Sequence, residues 1–216
     1  MVEQVTSDPM VPKILSPEWA AVLVVDVQND FCHEQGAFGR LGFDMGPIQA
    51  SVRALAAFLE EARRARVPVL FIKTHHGPWS NSEAWLTRGP RRAGEICAVG
   101  SWGAEFYGVA PASGEPVVVK HRYSGFLGTD LEVILRARER RSVLVTGVAT
   151  NVCVESTARD AYMRDYHLVM VDDCCGAVTK AEHEATLHNM RTYFGRVLDS
   201  HAIAAHWQAL RAGARG

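Results

Sequence analysis

The stretch Ser142-Val143-Leu144-Val145-Thr146-Gly147-Val148-Ala149-Thr150-Asn151-Val152-Cys153 decides how this chain is read. Residues 142–146 form an apolar run of strand length. After Asn151 the pattern changes to a helical period, with Val154, Ala158 and Ala161 on one face and Glu155, Arg159 and Asp160 elsewhere. A strand that passes straight into a helix is the repeating unit of an α/β sheet. It also places Cys153 in a first helical turn, where unpaired N–H groups and the positive end of the helix dipole favour a thiolate. The same N–H groups can receive a developing oxyanion. The expectation is a thiol lowered from an ordinary value of about 8.5 toward neutrality.

The alternation continues in both directions. Strand-like runs lie at 21–26, 67–74, 116–120, 142–147, 167–172 and 196–199, with helical patterns at 47–65, 129–138, 151–165, 179–193 and 203–212. Two of these helices open with capping boxes, Thr129-Asp130-Leu131-Glu132 and Thr179-Lys180-Ala181-Glu182. Strands that are apolar on both faces predict a six-stranded, mostly parallel sheet covered on each side, a Rossmann-like three-layer α/β/α sandwich. In such sheets ligands bind beyond the carboxyl ends of the strands.

No Pro/Gly/Ser-rich linker divides the 216 residues, so residues 1–216 read as one domain, with an N-terminal extension at 1–15 and a long loop at 75–111. With 23 basic and 24 acidic residues the net charge is -1, which offers nucleic acid and anionic membranes no electrostatic footprint. The cluster Arg88, Arg91, Arg92 and the run at 136–141 read as solvated faces. The first residues lack the apolar core of a signal peptide, and the longest apolar run, 19–25, is far too short to span a bilayer. A cytoplasmic protein is expected. Five cysteines without a C-x-x-C, Cys174 and Cys175 being adjacent, read as free thiols rather than a disulfide framework or zinc cage. No strand is followed by G-x-G-x-x-G, which argues against a dinucleotide cofactor. Exposed tryptophans in the long loop suggest a homodimer or homotetramer.

Three strand ends carry complementary chemistry. Asp26 leaves the first strand, Lys120 the third, and Cys153 follows the fourth. In a parallel sheet all three reach the same edge. A carboxylate emerging from an apolar run needs a cation or acts as a proton acceptor, and Lys120 can be its partner.

On the patterns Asp26-Val27-Gln28-Asn29-Asp30-Phe31, Lys120 with Arg122-Tyr123-Ser124-Gly125-Phe126, and Gly147-Val148-Ala149-Thr150-Asn151-Val152-Cys153-Val154-Glu155-Ser156-Thr157, the chain resembles the isochorismatase-like cysteine hydrolase superfamily. The resemblance implies a catalytic triad of Asp26, Lys120 and Cys153, a non-proline cis peptide at Val148–Ala149, and an oxyanion hole from the N–H groups of Ala149 and Cys153. It implies no cofactor. The nicotinamidase branch carries an Asp-x-His pair after its second strand; here that region reads Lys73-Thr74-His75-His76, so no metal is predicted. The motifs look most like those of ureidoacrylate amidohydrolases, with relatives acting on biuret and N-carbamoyl compounds. The implied activity is a cysteine amidohydrolase cleaving a small linear amide through a thioester with release of ammonia. Alternatives are a vinyl ether hydrolase of the isochorismatase type and a nicotinamidase-like amidase. Asn29, His75, Trp79, Trp85 and Tyr123 are the candidate substrate contacts.

Overall fold

The computed structural model describes residues 8–88 and 95–213, so residues 1–7 of the N-terminal extension and Arg91 and Arg92 lie outside the described residues. Six strands form one sheet: β1 (Ala20–Val25), β2 (Val69–Thr74), β3 (Val117–Lys120), β4 (Ser142–Val148), β5 (His167–Gly176) and β6 (Arg196–Leu198). Their order is β3-β2-β1-β4-β5-β6, and every pairing is parallel. The winding therefore reverses between β1 and β4. That is the switch point at which an open parallel sheet leaves a crevice beyond its carboxyl ends.

Period-two alternation divides the core. Val22 and Val24 of β1 face one layer with Leu55 and Leu59 of α1 (Gly46–Arg64), and Trp207 of the C-terminal helix joins them. Leu23 and Val25 face the other, with Leu131 and Leu135 of α2 (Leu131–Ala137) and Ala158 and Ala161 of α3 (Glu155–Tyr162). α4 (Lys180–Asn189) packs on that second face, and α5 (Ser200–Gly213) closes the first. The expected sandwich is thus observed. No described helix is long and apolar enough to cross a membrane.

Local departures have local causes. At Thr179 the N-cap half of the box forms, the Glu182 N–H donating to Thr179 Oγ1 at 3.2 Å, while Glu182 Oε2 accepts from that hydroxyl at 2.8 Å. The Thr129 box does not, because Thr129 Oγ1 donates back to the Gly125 carbonyl and accepts only the Leu131 N–H. β5 runs four residues past the predicted end at 172, its pairing with β4 shifting register between Val145 and Gly147. All five cysteines are free and buried.

Gly147 makes the close approach of β1 and β4 possible. It lies opposite Val25 at a φ of 110°, and a Cβ there would stand 2.0 Å from the Val25 carbonyl oxygen. Neither strand can yield without displacing Asp26 or the turn that carries Cys153. Gly147→Ala is expected to cost on the order of 3 kcal/mol, read as a lowered midpoint in chemical denaturation.

Candidate active site

Asp26 follows β1 with a left-handed φ of 52°, a conformation that aspartate tolerates better than most residues. Its carboxylate is fully buried at the switch point. Lys120 ends β3, directly paired in register with Thr74 of β2, and it too is fully buried. Nζ lies 2.6 Å from Asp26 Oδ2. Thr74 bridges the pair, its Oγ1 donating to Asp26 Oδ1 at 2.9 Å and accepting from Lys120 Nζ at 2.7 Å. A further Nζ bond reaches the Arg122 carbonyl at 3.1 Å. Among the described residues no aligned hydrogen bond reaches Asp26 Oδ2, so that oxygen keeps a lone pair for a third group.

The Cys153 thiol is the neighbouring group, and it interacts with both Lys120 and Asp26. Cys153 lies not in an α-helical turn but in a π-helical one, Thr150–Val154, leading into α3. The Ala149 carbonyl accepts the N–H groups of Val152 and Val154, at 3.0 and 3.2 Å, and passes over Cys153 N–H, its ordinary α-helical donor. The Val148–Ala149 peptide is cis. Behind the turn, Asp172 Oδ1, His183 and Thr150 Oγ1 form a chain of 3.0 Å contacts that anchors its first residue.

The expected lowering of the thiol is not found. Burial pushes Cys153 well above its ordinary value; Lys120 pulls it down and Asp26 pushes it up again. Lys120 stays above its ordinary value, because Asp26 and Cys153 outweigh the burial that would lower it. Desolvation, which disfavours any charge, here exceeds the pull of the helix dipole. The resting site is therefore an ion pair beside a neutral thiol.

The thiol opens into a cavity of about 350 Å³. Of the five candidate contacts, Trp85 and Tyr123 line it. Asn29, His75 and Trp79 do not. Asn29 is held outside by the loop, its Nδ2 donating to the Trp102 carbonyl at 2.8 Å. His75 is half-buried outside the lining, and Trp79 is fully solvent-exposed. The motif around Asn29 serves the scaffold: Gln28 Nε2 donates to the Thr74 and Ala104 carbonyls, and Asp30 accepts the N–H groups of Ala37 and Cys97. These bonds draw the loop across the site.

His76, Arg88 and Arg122 also line the cavity, and the residue-by-residue reading missed them. Arg88 had read as a solvated charge. It is exposed, and in addition its guanidinium lies 3.5 Å from the Trp85 ring centre and donates to Tyr123 Oη at 2.9 Å. The signal was present in the aromatics: a flat cation in a tryptophan-rich loop has a face to stack on. The remaining cluster of metal-ligand type among the described residues, Asp173, Asp199 and His201, surrounds the start of α5, where Asp173 accepts the Ser200 N–H.

Residues 20–202 match the isochorismatase domain. The chain belongs to the isochorismatase family. Among its relatives in that family, ureidoacrylate amidohydrolase RutB of Methylobacterium radiotolerans is 39% identical over 219 aligned positions, covering 92% of this chain and 82% of the relative. The RutB of Acinetobacter baylyi is 33% identical, covering 90% and 86%. A cysteine hydrolase from Pseudomonas syringae pv. phaseolicola superimposes with a TM-score of 0.82 at 29% identity, covering 94% of this chain and 99% of that one. The cavity of this isochorismatase-family protein lies at its Asp26–Lys120 pair and Cys153.

Two outcomes follow from the geometry. Thr74→Val leaves the carboxylate and the ammonium each one partner short and is expected to cost about 1–3 kcal/mol of unfolding free energy, measured by denaturant titration. Because the thiol is raised, the wild type should show no ultraviolet thiolate absorbance beyond that of Cys153→Ala between about pH 6 and pH 8, near an ordinary cysteine's range. An excess band at neutral pH would mean a thiolate at rest.

Proposed function

We propose that this chain is a cysteine amidohydrolase that cleaves the C–N bond of a small linear ureido or carbamoyl compound. The observation that carries the reading is a thiol at the end of a cavity, in reach of a buried carboxylate that is itself held by an ammonium. The two relatives named as ureidoacrylate amidohydrolases support the substrate class.

Each residue then has one task. Asp26 takes the proton of Cys153 as the sulfur attacks the amide carbonyl, and Lys120 offsets the charge that appears on sulfur. The oxyanion is received by the N–H groups of Ala149 and Cys153; the pairing that bypasses Cys153 N–H supports that role. As the C–N bond breaks, protonated Asp26 gives its proton to the leaving nitrogen, which departs as ammonia in the simplest case. Asp26 then takes a proton from water as the water attacks the thioester, and the thiol is regenerated with release of the acid. Thr74 keeps Asp26 and Lys120 in register throughout.

The enzyme is further inferred to act in the cytoplasm as a homodimer or homotetramer. Five cysteines without a disulfide support the first inference, and the exposed Trp79, Val99 and Trp102 the second.

An ammonia-release screen over ureidoacrylate, biuret, N-carbamoyl amino acids and nicotinamide tests the reading. At least a tenfold preference for a ureido or carbamoyl compound is expected, about 1.4 kcal/mol of transition-state discrimination. Cys153→Ala and Asp26→Asn should each lower turnover by about a thousandfold or more, with folded circular-dichroism spectra. Preference for nicotinamide, or a Cys153→Ala variant with normal turnover, would defeat it.

A further inference from the structure

His76 stands in the cavity wall, 4% exposed, on a backbone pinned from both sides: its N–H donates to the Cys97 carbonyl and its carbonyl accepts from the Val99 N–H, each at 3.0 Å. Ring Nδ1 lies 2.7 Å from the Ile96 carbonyl. A carbonyl oxygen only accepts, so Nδ1 carries the proton, and in the neutral ring Nε2 is left as a bare lone pair. That atom is buried and has no hydrogen-bond partner among the described residues. Burial holds the imidazole below its ordinary value, the Ile96 bond opposing and Lys120 and Arg88 adding to it, while Asp26 pulls upward; the ring is neutral at neutral pH. Trp85, with ring centres 5.1 Å apart, fixes its plane.

The cations around it are engaged elsewhere. Lys120 Nζ serves Asp26, Thr74 and the Arg122 carbonyl. Arg88 donates to Tyr123 and to the Trp85 carbonyl, and Arg122 to the Ser80 and His121 carbonyls. A buried acceptor left unpaired costs about 1–3 kcal/mol, so its persistence in a cavity wall points to a donor that arrives with the ligand. Thr74, two residues before His76, is committed to Asp26 and Lys120.

We propose that His76 Nε2 accepts a hydrogen bond from an N–H of the substrate's ureido or carbamoyl group while its carbonyl lies against Cys153, which makes His76 the residue that selects amides over esters. The proposal rests on the amidohydrolase reading. A ureido group presents N–H donors on both sides of its carbonyl, and an ester of the same shape presents none. A site whose fixed acceptor is filled only by a donor discriminates against ligands that leave it empty. His76 acts here as a specificity-determining residue, and no proton passes through it.

The test compares wild type with His76→Phe, which keeps a ring against Trp85 and removes the acceptor. On N-carbamoylglycine, kcat/KM is expected to fall about 10- to 100-fold, mostly through KM. On p-nitrophenyl acetate, which has no N–H, the two enzymes should agree within about twofold, as an interaction absent from a substrate cannot change its rate. In parallel, nitrogen NMR of histidine-labelled Cys153→Ala should show His76 Nε2 unprotonated at neutral pH and shifted on saturation with N-carbamoylglycine. Equal losses on both substrates would make His76 a packing residue and overturn the proposal. So would a protonated Nε2, or a thioester accumulating in His76→Phe, which would make it a base for deacylation. A wild type that hydrolyses the ester and no ureido or carbamoyl compound defeats the amidohydrolase reading instead. The NMR titration then decides His76 alone, and no shift with N-carbamoylglycine overturns its assigned role.

Discussion

The ion pair between Asp26 and Lys120 is fully buried, and much of the surrounding structure is what such a pair requires. Taking a carboxylate and an ammonium out of water costs several kcal/mol each, and their attraction recovers this only when the remaining lone pairs and protons are met. Thr74 meets one from each partner, and the Arg122 carbonyl meets another proton of the ammonium. The register of the sheet makes this possible: β2 pairs with β3 so that Thr74 lies beside Lys120, and the Asp26 N–H donates to the Ile72 carbonyl at the end of β2. A pair so expensive is weak evidence for stability. It is better understood as charge held ready beside a thiol.

The same burial explains why the thiol rests neutral. Separated charge on sulfur would lack water, and Lys120, already shared with Asp26, cannot supply all that solvent would. Ionisation at the moment of attack avoids a standing thiolate, since the proton moves the short distance to Asp26 while negative charge passes from sulfur toward the carbonyl oxygen. Reactivity is then conditional on a substrate in the cavity. The preceding turn contributes through its pitch: a π-helical step spares the N–H of Cys153 from the Ala149 carbonyl.

Much of this was legible in the sequence, and the exceptions share a cause. Valine-rich strands alternating with amphipathic helices impose a parallel sheet, and a parallel sheet brings Asp26, Lys120 and Cys153 to one edge however far apart they are in the chain. Residues at strand ends could thus be read individually. Residues in the 75–111 loop could not, because its path depends on contacts such as Gln28 with Ala104 and Asp30 with Cys97, which no local pattern announces. Hence His75 and Trp79 fell outside the cavity and His76 and Arg88 inside it, while Asn29, which follows β1, is drawn out of it by the Trp102 carbonyl of that loop. The thiol's direction failed for a related reason. A helix terminus is visible in sequence, whereas the depth of burial that outweighs it is a property of the assembled fold.

Nucleophilic catalysis at this site requires that Cys153 become covalently bonded to the carbonyl carbon of the substrate. Acid-quenched turnover of a ureido or carbamoyl substrate, followed by intact-protein and peptide mass spectrometry, tests it directly. The predicted result is an acyl mass increment confined to the peptide containing Cys153 and absent from Cys153→Ala. An increment on another residue, or continued turnover by Cys153→Ala, would contradict it.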